Sequence, residues 1–286
     1  MTPDPKHTTF NCAGQTLDLS TPVIMGILNL TADSFYNVNS FTALKDQLMH
    51  TDQMINEGAT IIDIGAISSR PGSDPVEEQE ECARLFPALK AIKEAFPETI
   101  VSVDTYRSEV ARICIDLGAG IINDIYGGRF DGGMIPLVQS AGIPYIMMHM
   151  QGTPQTMQIN PVYRDVVEEV SNFFKTQLAK FNPEFTQVIL DPGFGFGKSV
   201  QHNFQLLSSF SSFKKFGLPL MAGISRKSMI SIVLGINPVD ALNGTTVLNT
   251  LALLKGADIL RVHDVKEAAE TVRLLGMLGD DGVSGF

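Results

Sequence analysis

Eight short apolar runs punctuate the chain, and longer stretches with helical periodicity separate them. The runs are VIMGILNL (23–30), TIIDIGA (60–66), TIVSVDT (99–105), GIINDI (120–125), PYIMMHM (144–150), QVILDPG (187–193), PLMAGIS (219–225) and DILRVHD (258–264). They are rich in Ile, Val, Met and Leu with little polar alternation, as strands covered on both faces require. Their starts recur at roughly 20 to 40 residues, the spacing of strand-and-helix units. Helical patterns are clearest over 42–58, 76–95, 108–117, 163–181, 202–216, 240–256 and 265–278. Eight such units predict the α/β class and a single (β/α)8 TIM barrel in preference to an open doubly wound sheet. A short hairpin around Ala13-Gly14 precedes the first run and is placed at the barrel bottom. The expected organisation is an N-terminal arm and hairpin over 1–20, the barrel over 21–279 and a tail over 280–286.

Composition narrows the partners. Twenty-one basic against 31 acidic residues give a net charge of −10, which argues against a nucleic-acid backbone as ligand. No apolar run approaches the ~18 residues of a membrane span. The opening MTPDPKHTTF lacks the basic and apolar segments of a secretion signal. Cys12, Cys82 and Cys114 follow no metal spacing and read as thiols of a reducing compartment, so a cytoplasmic location is expected.

A barrel of this kind gathers its chemistry where strands end. Here the runs end at Asn29, Ser68-Ser69-Arg70-Pro71-Gly72, Asp104, Asn123-Asp124, His149, Asp191, Ser225-Arg226-Lys227-Ser228, and Arg261 with His263. Any one of these could be an ordinary helix cap. All eight together point to one polar rim. Asp104, Asn123 and Asp191 suit a flat heterocycle with N–H and amino donors, since carboxylates accept paired hydrogen bonds. Arg70, Lys227, Arg261 and His263 suit a phosphate or carboxylate. The Gly-Phe-Gly-Phe-Gly-Lys-Ser segment (193–199) imitates a phosphate loop, but position 192, which a Walker motif requires as glycine, is proline. His149 and His263 have no accompanying metal-ligand pattern.

The segments MGILNLTADSF, ATIIDIG, SSRPG, VSVDT, IINDI, MMHMQGTPQTMQ, LDPGFGFGKS, HNFQLL, GISRKSMI and LRVHDVKE together resemble the bacterial dihydropteroate synthase family, over about residues 23 to 278. The resemblance implies a transferase of folate biosynthesis that joins 6-hydroxymethyl-7,8-dihydropterin diphosphate to 4-aminobenzoate with release of pyrophosphate. It implies pterin contacts at Asp104, Asn123, Asp191 and Lys227, and diphosphate contacts at Ser69, Arg261 and His263. It places Arg70, Pro71, Phe196 and Ser228 around aminobenzoate, with Mg²⁺ at Asn29. Lys227, Asp104 and Arg261 are the expected catalytic groups, Asp104 and Asp191 are expected to be ionised, and Ser228 is expected to begin a helix. The resemblance also implies sulfonamide sensitivity and a homodimer formed through late helices.

The chain departs from the family pattern in two loops. The first has Ala32 in place of proline and Tyr36-Asn37-Val38-Asn39 in place of a glycine turn. The second carries Ala66 and Ile67 where glycine and a carboxylate are usual. The alternatives are a pterin-barrel methyltransferase, which lacks the SRKS and RVH elements, and a non-catalytic pterin-binding protein with altered loops.

Overall fold

All eight apolar runs form parallel strands. The protein, seen here as a computed structural model, is described over residues 8–30, 41–67 and 76–278. Two antiparallel strands, β1 (Thr9–Cys12) and β2 (Gln15–Asp18), come first. The eight strands that follow are β3 (Val23–Asn29), β4 (Ile61–Gly65), β5 (Ile100–Asp104), β6 (Ile121–Asp124), β7 (Tyr145–Met148), β8 (Val188–Asp191), β9 (Met221–Ala222) and β10 (Ile259–Val262). They pair in the order β8-β7-β6-β5-β4-β3-β10-β9, and a parallel bridge between Leu190 and Leu220 draws the two edges together. The sheet is thus a nearly closed barrel.

Helices cover the outside: α1 (Phe41–Glu57), α2 (Glu78–Ala95), α3 (Ser108–Asp116), α4 (Met134–Ala141), α5 (Val166–Leu178), α6 (Val200–Ser208), α7 (Ser228–Leu234), α8 (Leu242–Leu254) and α9 (Val265–Gly276). Three differ from the expectation set by periodicity, α4 because no helix is expected over its residues. The stretch 202–216 divides into α6 and a 3-10 turn (Phe210–Phe216). The helix expected from 163 starts at Val166, because the Asp165 carboxylate caps it by accepting from the backbone N–H groups of Val167 and Glu168. Ser228 begins α7 as expected. Among the described residues, no helix is long and apolar enough to cross a membrane.

Strand periodicity explains both the core and the site. Successive strand residues point to opposite faces. One set, including Ile62, Ile64, Val101, Val103, Ile122, Val188, Leu190, Leu260 and Val262, packs against the helices. The alternate set, Met25, Ile61, Ile100, Ile121, Ile146, Ile189, Met221 and Ile259, converges inside the barrel. Phe10, Cys12, Leu17 and Leu19 join that inner cluster, so the β1–β2 hairpin packs against the N-terminal ends of the strands. Its two-residue turn has positive φ at both Ala13 (53°) and Gly14 (89°), which matches the twist of a hairpin. The inner apolar cluster forms a floor. Two residues further along the same strand faces, the side chains turn polar.

Candidate active site at the C-terminal mouth of the barrel

Asp63, Ser102, Asn123, Asp191 and Arg261 each lie two positions beyond a floor residue, on β4, β5, β6, β8 and β10. Hydrogen bonds link three of them into one unit. Arg261 donates Nε to Asp63 Oδ2 at 2.7 Å and Nη2 to Asp104 Oδ2 at 3.1 Å. Asn123 donates Nδ2 to the same Asp63 oxygen at 3.2 Å. Gly223, two residues beyond Met221, leaves space on the fourth side. A Cβ there would lie 3.9 Å from both Arg261 Cβ and Lys227 Nζ, and 4.0 Å from Asp191 Oδ2. Asp104, Asn123, Asp191, Lys227 and Arg261 therefore surround one small volume above a sealed apolar floor.

The loop after β8 holds Lys227 in place. Lys227 donates to the Phe194 carbonyl, and its ammonium lies 4.6 Å from the centre of the Phe196 ring. The loop itself is fixed from beneath by Lys198. That buried amine donates to the carbonyls of Gly193 (2.8 Å), Phe196 (3.0 Å) and His149 (3.3 Å), and lies 3.0 Å from His149 Nδ1. The Lys-Ser sequence that imitates a phosphate loop is thus an internal brace. Gly193 makes this course possible: its φ is +72°, and a Cβ would fall 1.9 Å from the His149 carbonyl oxygen. Gly193→Ala is expected to displace Phe194, Phe196 and Lys227 together. Turnover should fall at least ~10-fold, with a lower thermal midpoint, because a backbone clash cannot relax cheaply.

The remaining rim groups divide in two. Ser225 Oγ lies 3.1 Å from His263 Nδ1 and accepts from the His263 backbone N–H at 3.2 Å, which joins β9 to β10 at the mouth. Arg226 turns away: its guanidinium pairs with Asp264 and donates to the carbonyls of Pro238 and Val239, so it braces the loop before α8. Asp124 also turns outward and accepts from Tyr145 Oη and the backbone N–H groups of Tyr126 and Gly128. Within the basic and acidic pairs expected from sequence, Lys227 and Asn123 face the pocket, whereas Arg226 and Asp124 are structural. His149 is buried against Phe173 and bonded to Lys198.

The pterin binding enzyme family matches residues 25–263. Dihydropteroate synthase of Escherichia coli K12 is 44% identical over 265 residues, covering 92% of this chain and 93% of that protein. A solved structure of Yersinia pestis dihydropteroate synthase with a sulfonamide drug superposes with a TM-score of 0.87 at 39% identity, covering 94% of this chain and 98% of the other. Xanthomonas albilineans dihydropteroate synthase, solved with 4-aminobenzoic acid, gives a TM-score of 0.87 at 34% identity over 96% and 98% of the two chains. This chain belongs to the dihydropteroate synthases.

Electrostatics separate Asp104 from the fully ionised carboxylate expected from sequence. Burial pushes the Asp104 carboxyl up to about 7, although the Arg261 guanidinium pulls it down; Asp63, Asp124 and Glu81 add repulsion. Burial also raises Asp191, against the pull of Lys227, the Gly193 N–H and Arg261. Burial lowers Lys227 to about 8, with Asp191 opposing and Arg261 reinforcing the shift. Burial works against the charge on Arg261 as well, yet Asp63 and Asp104 outweigh it and hold the guanidinium firmly protonated.

Other expected residues of a dihydropteroate synthase site lie at its edge. Asn29 ends β3, exposed, in register with Gly65, which is itself in register with Asp104. Among the described residues no group of three or more His, Cys, Asp or Glu could hold a metal ion. A single exposed amide oxygen fits Mg²⁺ carried mainly by substrate oxygens and water, and it does not fit a resident metal cage. Phe196 is buried beside Lys227, and Ser228 is exposed at the start of α7. Ser69, Arg70 and Pro71, like Ala32 and Tyr36 to Asn39, lie outside the described residues. Ile67 packs against the apolar cluster of Tyr106, Ile125, Met148, Met150, Met157 and Phe196, so the residue that departs from the family pattern adds to an apolar wall. Asp63 is the member that strand-end reading misses. It stands mid-strand, and the signal that could reveal it is a lone carboxylate within the apolar run TIIDIGA, on the inward parity.

Proposed function

We propose that this chain condenses 6-hydroxymethyl-7,8-dihydropterin diphosphate with 4-aminobenzoate to give 7,8-dihydropteroate and pyrophosphate, in folate biosynthesis. The observation that carries the proposal is the convergence of Asp104, Asn123, Asp191, Lys227 and Arg261 on one volume with an apolar floor. Asn123 and Asp191 accept from the ring's N–H and amino groups, and Lys227 donates to it. His263, Arg261 and Ser69 receive the diphosphate. Arg70, Pro71, Phe196 and Ser228 hold the aminobenzoate, the subsite that sulfonamides would occupy.

The bond from the pterin methylene to diphosphate oxygen breaks first, and the oxygen keeps the electron pair. The ring nitrogens share the resulting positive charge, which Asp104 and Asp191 stabilise. The aniline nitrogen then attacks the methylene and loses a proton. Asn29 would hold Mg²⁺ by its amide oxygen, and the metal would neutralise charge on the departing diphosphate. Incubation with both substrates and Mg²⁺ should release pyrophosphate only when the amine is present. Release without amine would indicate hydrolysis and contradict this function.

Protonation sets the working range. Below about 7 Asp104 takes up a proton and stops compensating the cation; above about 8 Lys227 loses its charge. The value of kcat/KM for the pterin substrate should therefore follow a bell whose limbs fall on either side of this interval, about tenfold per pH unit. A flat profile from pH 6 to 9 would contradict these roles.

We place a second copy of the chain against α7, α8 and α9. Ile232, Val233, Leu234, Val247, Leu251 and Leu274 are large apolar residues exposed on these late helices. Sedimentation equilibrium should show a homodimer in the cytoplasmic enzyme, and Val247→Glu should shift it to monomer. A monomeric parent protein would remove this surface from the account.

A further inference from the structure

Glu81 is wholly buried on α2, yet nothing in the reaction above calls on it. A carboxylate taken out of water is tolerated only where partners replace the water. Glu81 has two. Its Oε1 accepts from Thr105 Oγ1 at 2.6 Å, and its Oε2 pairs with the Arg107 guanidinium. Arg107 Nη2 donates in turn to the Val76 carbonyl at 2.7 Å, just ahead of α2. The chain entering α2, the helix itself and the chain leaving β5 therefore meet at one buried acid. Three residues further along α2, Arg84 donates Nη1 to the Ala66 carbonyl at 2.9 Å, which fastens the end of β4 to the same helix. Replacing a buried ion pair by apolar side chains commonly costs a protein no stability, so stability alone does not account for this one.

Thr105 directly follows Asp104, and successive strand residues point to opposite faces. Thr105 Oγ1 is fixed to the helix layer, while Asp104 Oδ2 accepts from Arg261 at the mouth. We propose that Glu81 is a positioning residue for the reaction: by fastening Thr105 to α2 it sets where the Asp104 carboxylate stands, and its own negative charge acts on that carboxylate from behind the strand. The proposal rests on the role given to Asp104 above and adds to it a residue outside the pocket. The Thr105 N–H donates to the Asn123 carbonyl at 3.0 Å, so the same anchor also steadies the end of β6. The charge adds a second effect. Arg261 from β10, Asp63 from β4, Asp124 from β6, Tyr106 from beyond β5 and Glu81 from α2 interact with Asp104, and the three acids make its anion harder to form. Around Glu81 stand Arg107, Glu78, Cys82 and, on α3, Cys114. Burial raises the Glu81 carboxyl, and the hydrogen bonds from Thr105 and Arg107 pull it back down. An anion crowded by like charge gains more from a cation formed beside it, and a cation is what the departing diphosphate leaves on the ring.

The test compares the pH dependence of kcat/KM for the pterin substrate in the parent protein, Glu81→Gln, Thr105→Val and Thr105→Ser. Glutamine keeps an acceptor for Thr105 Oγ1 and removes the charge. The acid limb of Glu81→Gln should therefore lie about 0.5 pH unit or more below that of the parent, because Asp104 ionises more readily without the neighbouring anion. At pH 8, Thr105→Val should lower kcat roughly 10-fold or more, since the anchor is lost, whereas Thr105→Ser keeps the hydroxyl and should stay within about threefold of the parent. A Glu81→Gln enzyme slowed by one factor at every pH, with its limb in place, would mark a merely structural residue and overturn the proposal. So would equal rates in Thr105→Val and Thr105→Ser. If Glu81→Gln does not fold, the two Thr105 variants decide, with thermal unfolding of each to separate misfolding from misplacement. A parent profile without an acid limb would instead bring down the role of Asp104, and this proposal with it.

Discussion

Lys227→Ala should all but abolish turnover, with a loss in kcat of roughly 10²- to 10³-fold, the scale seen when one preorganised hydrogen-bond donor is removed. Three features support so large an effect. The ammonium lies on the Asp191 side of the pocket, within reach of the space that Gly223 leaves open. It is held there by the Phe194 carbonyl and the face of Phe196, so little ordering is left to do when substrate arrives. Burial lowers its affinity for a proton to about 8, which makes it a strong donor near neutral pH. Folding should change little, because Lys227 forms no ion pair closer than 4 Å among the described residues. Steady-state rates and thermal unfolding of the same preparation separate the two effects. Near-normal turnover would remove Lys227 from the chemistry.

Arg261→Ala should damage both stability and activity. The guanidinium bridges Asp63 and Asp104, and its side chain is only 19% exposed. Removing one partner of a buried ion pair leaves uncompensated charge, a loss of about 3–5 kcal/mol in measured cases. Urea unfolding should show a loss of that order at pH 8. The loss should shrink as pH falls through about 7, where Asp104 takes up a proton and no longer needs the cation. Pairing the substitution with Asp104→Asn should recover part of the stability and none of the activity. Equal stability of Arg261→Ala and the parent at pH 8 would show that the bridge is not formed in solution.

Much of this arrangement is legible in the amino-acid sequence. The eight strands carry so little polar alternation that burial on both faces is the only economical reading, and a closed barrel provides it. Strand ends then name Asp104, Asn123, Asp191, Lys227 and Arg261, because chemistry in a barrel gathers at one mouth. The strand-end position alone does not show why Asn123 rather than Asp124, or Lys227 rather than Arg226, faces the pocket. Adjacent residues at a strand end face opposite ways, and the last paired residue decides which turns inward. Asp63 escapes for the opposite reason: a carboxylate in mid-strand does not stand at an end, and it faces inward because it shares parity with Ile61, a member of the inner apolar cluster. The ionisation of Asp104 is out of reach as well. Its affinity for a proton reflects the sum of burial, one cation and three neighbouring acids, brought from strands and helices far apart in sequence. The 202–216 stretch keeps one helical rhythm in its residues, although the chain changes to a tighter 3-10 turn at Ser209.

The most direct test is a crystal structure of this protein with 6-hydroxymethyl-7,8-dihydropterin diphosphate. The ring should lie between Asn123, Asp191 and Lys227, above the Asp63–Arg261 pair, with its diphosphate towards His263 and Asn29. A ring bound anywhere other than this mouth, or one that leaves Asp191 and Asn123 without contact, would contradict the account.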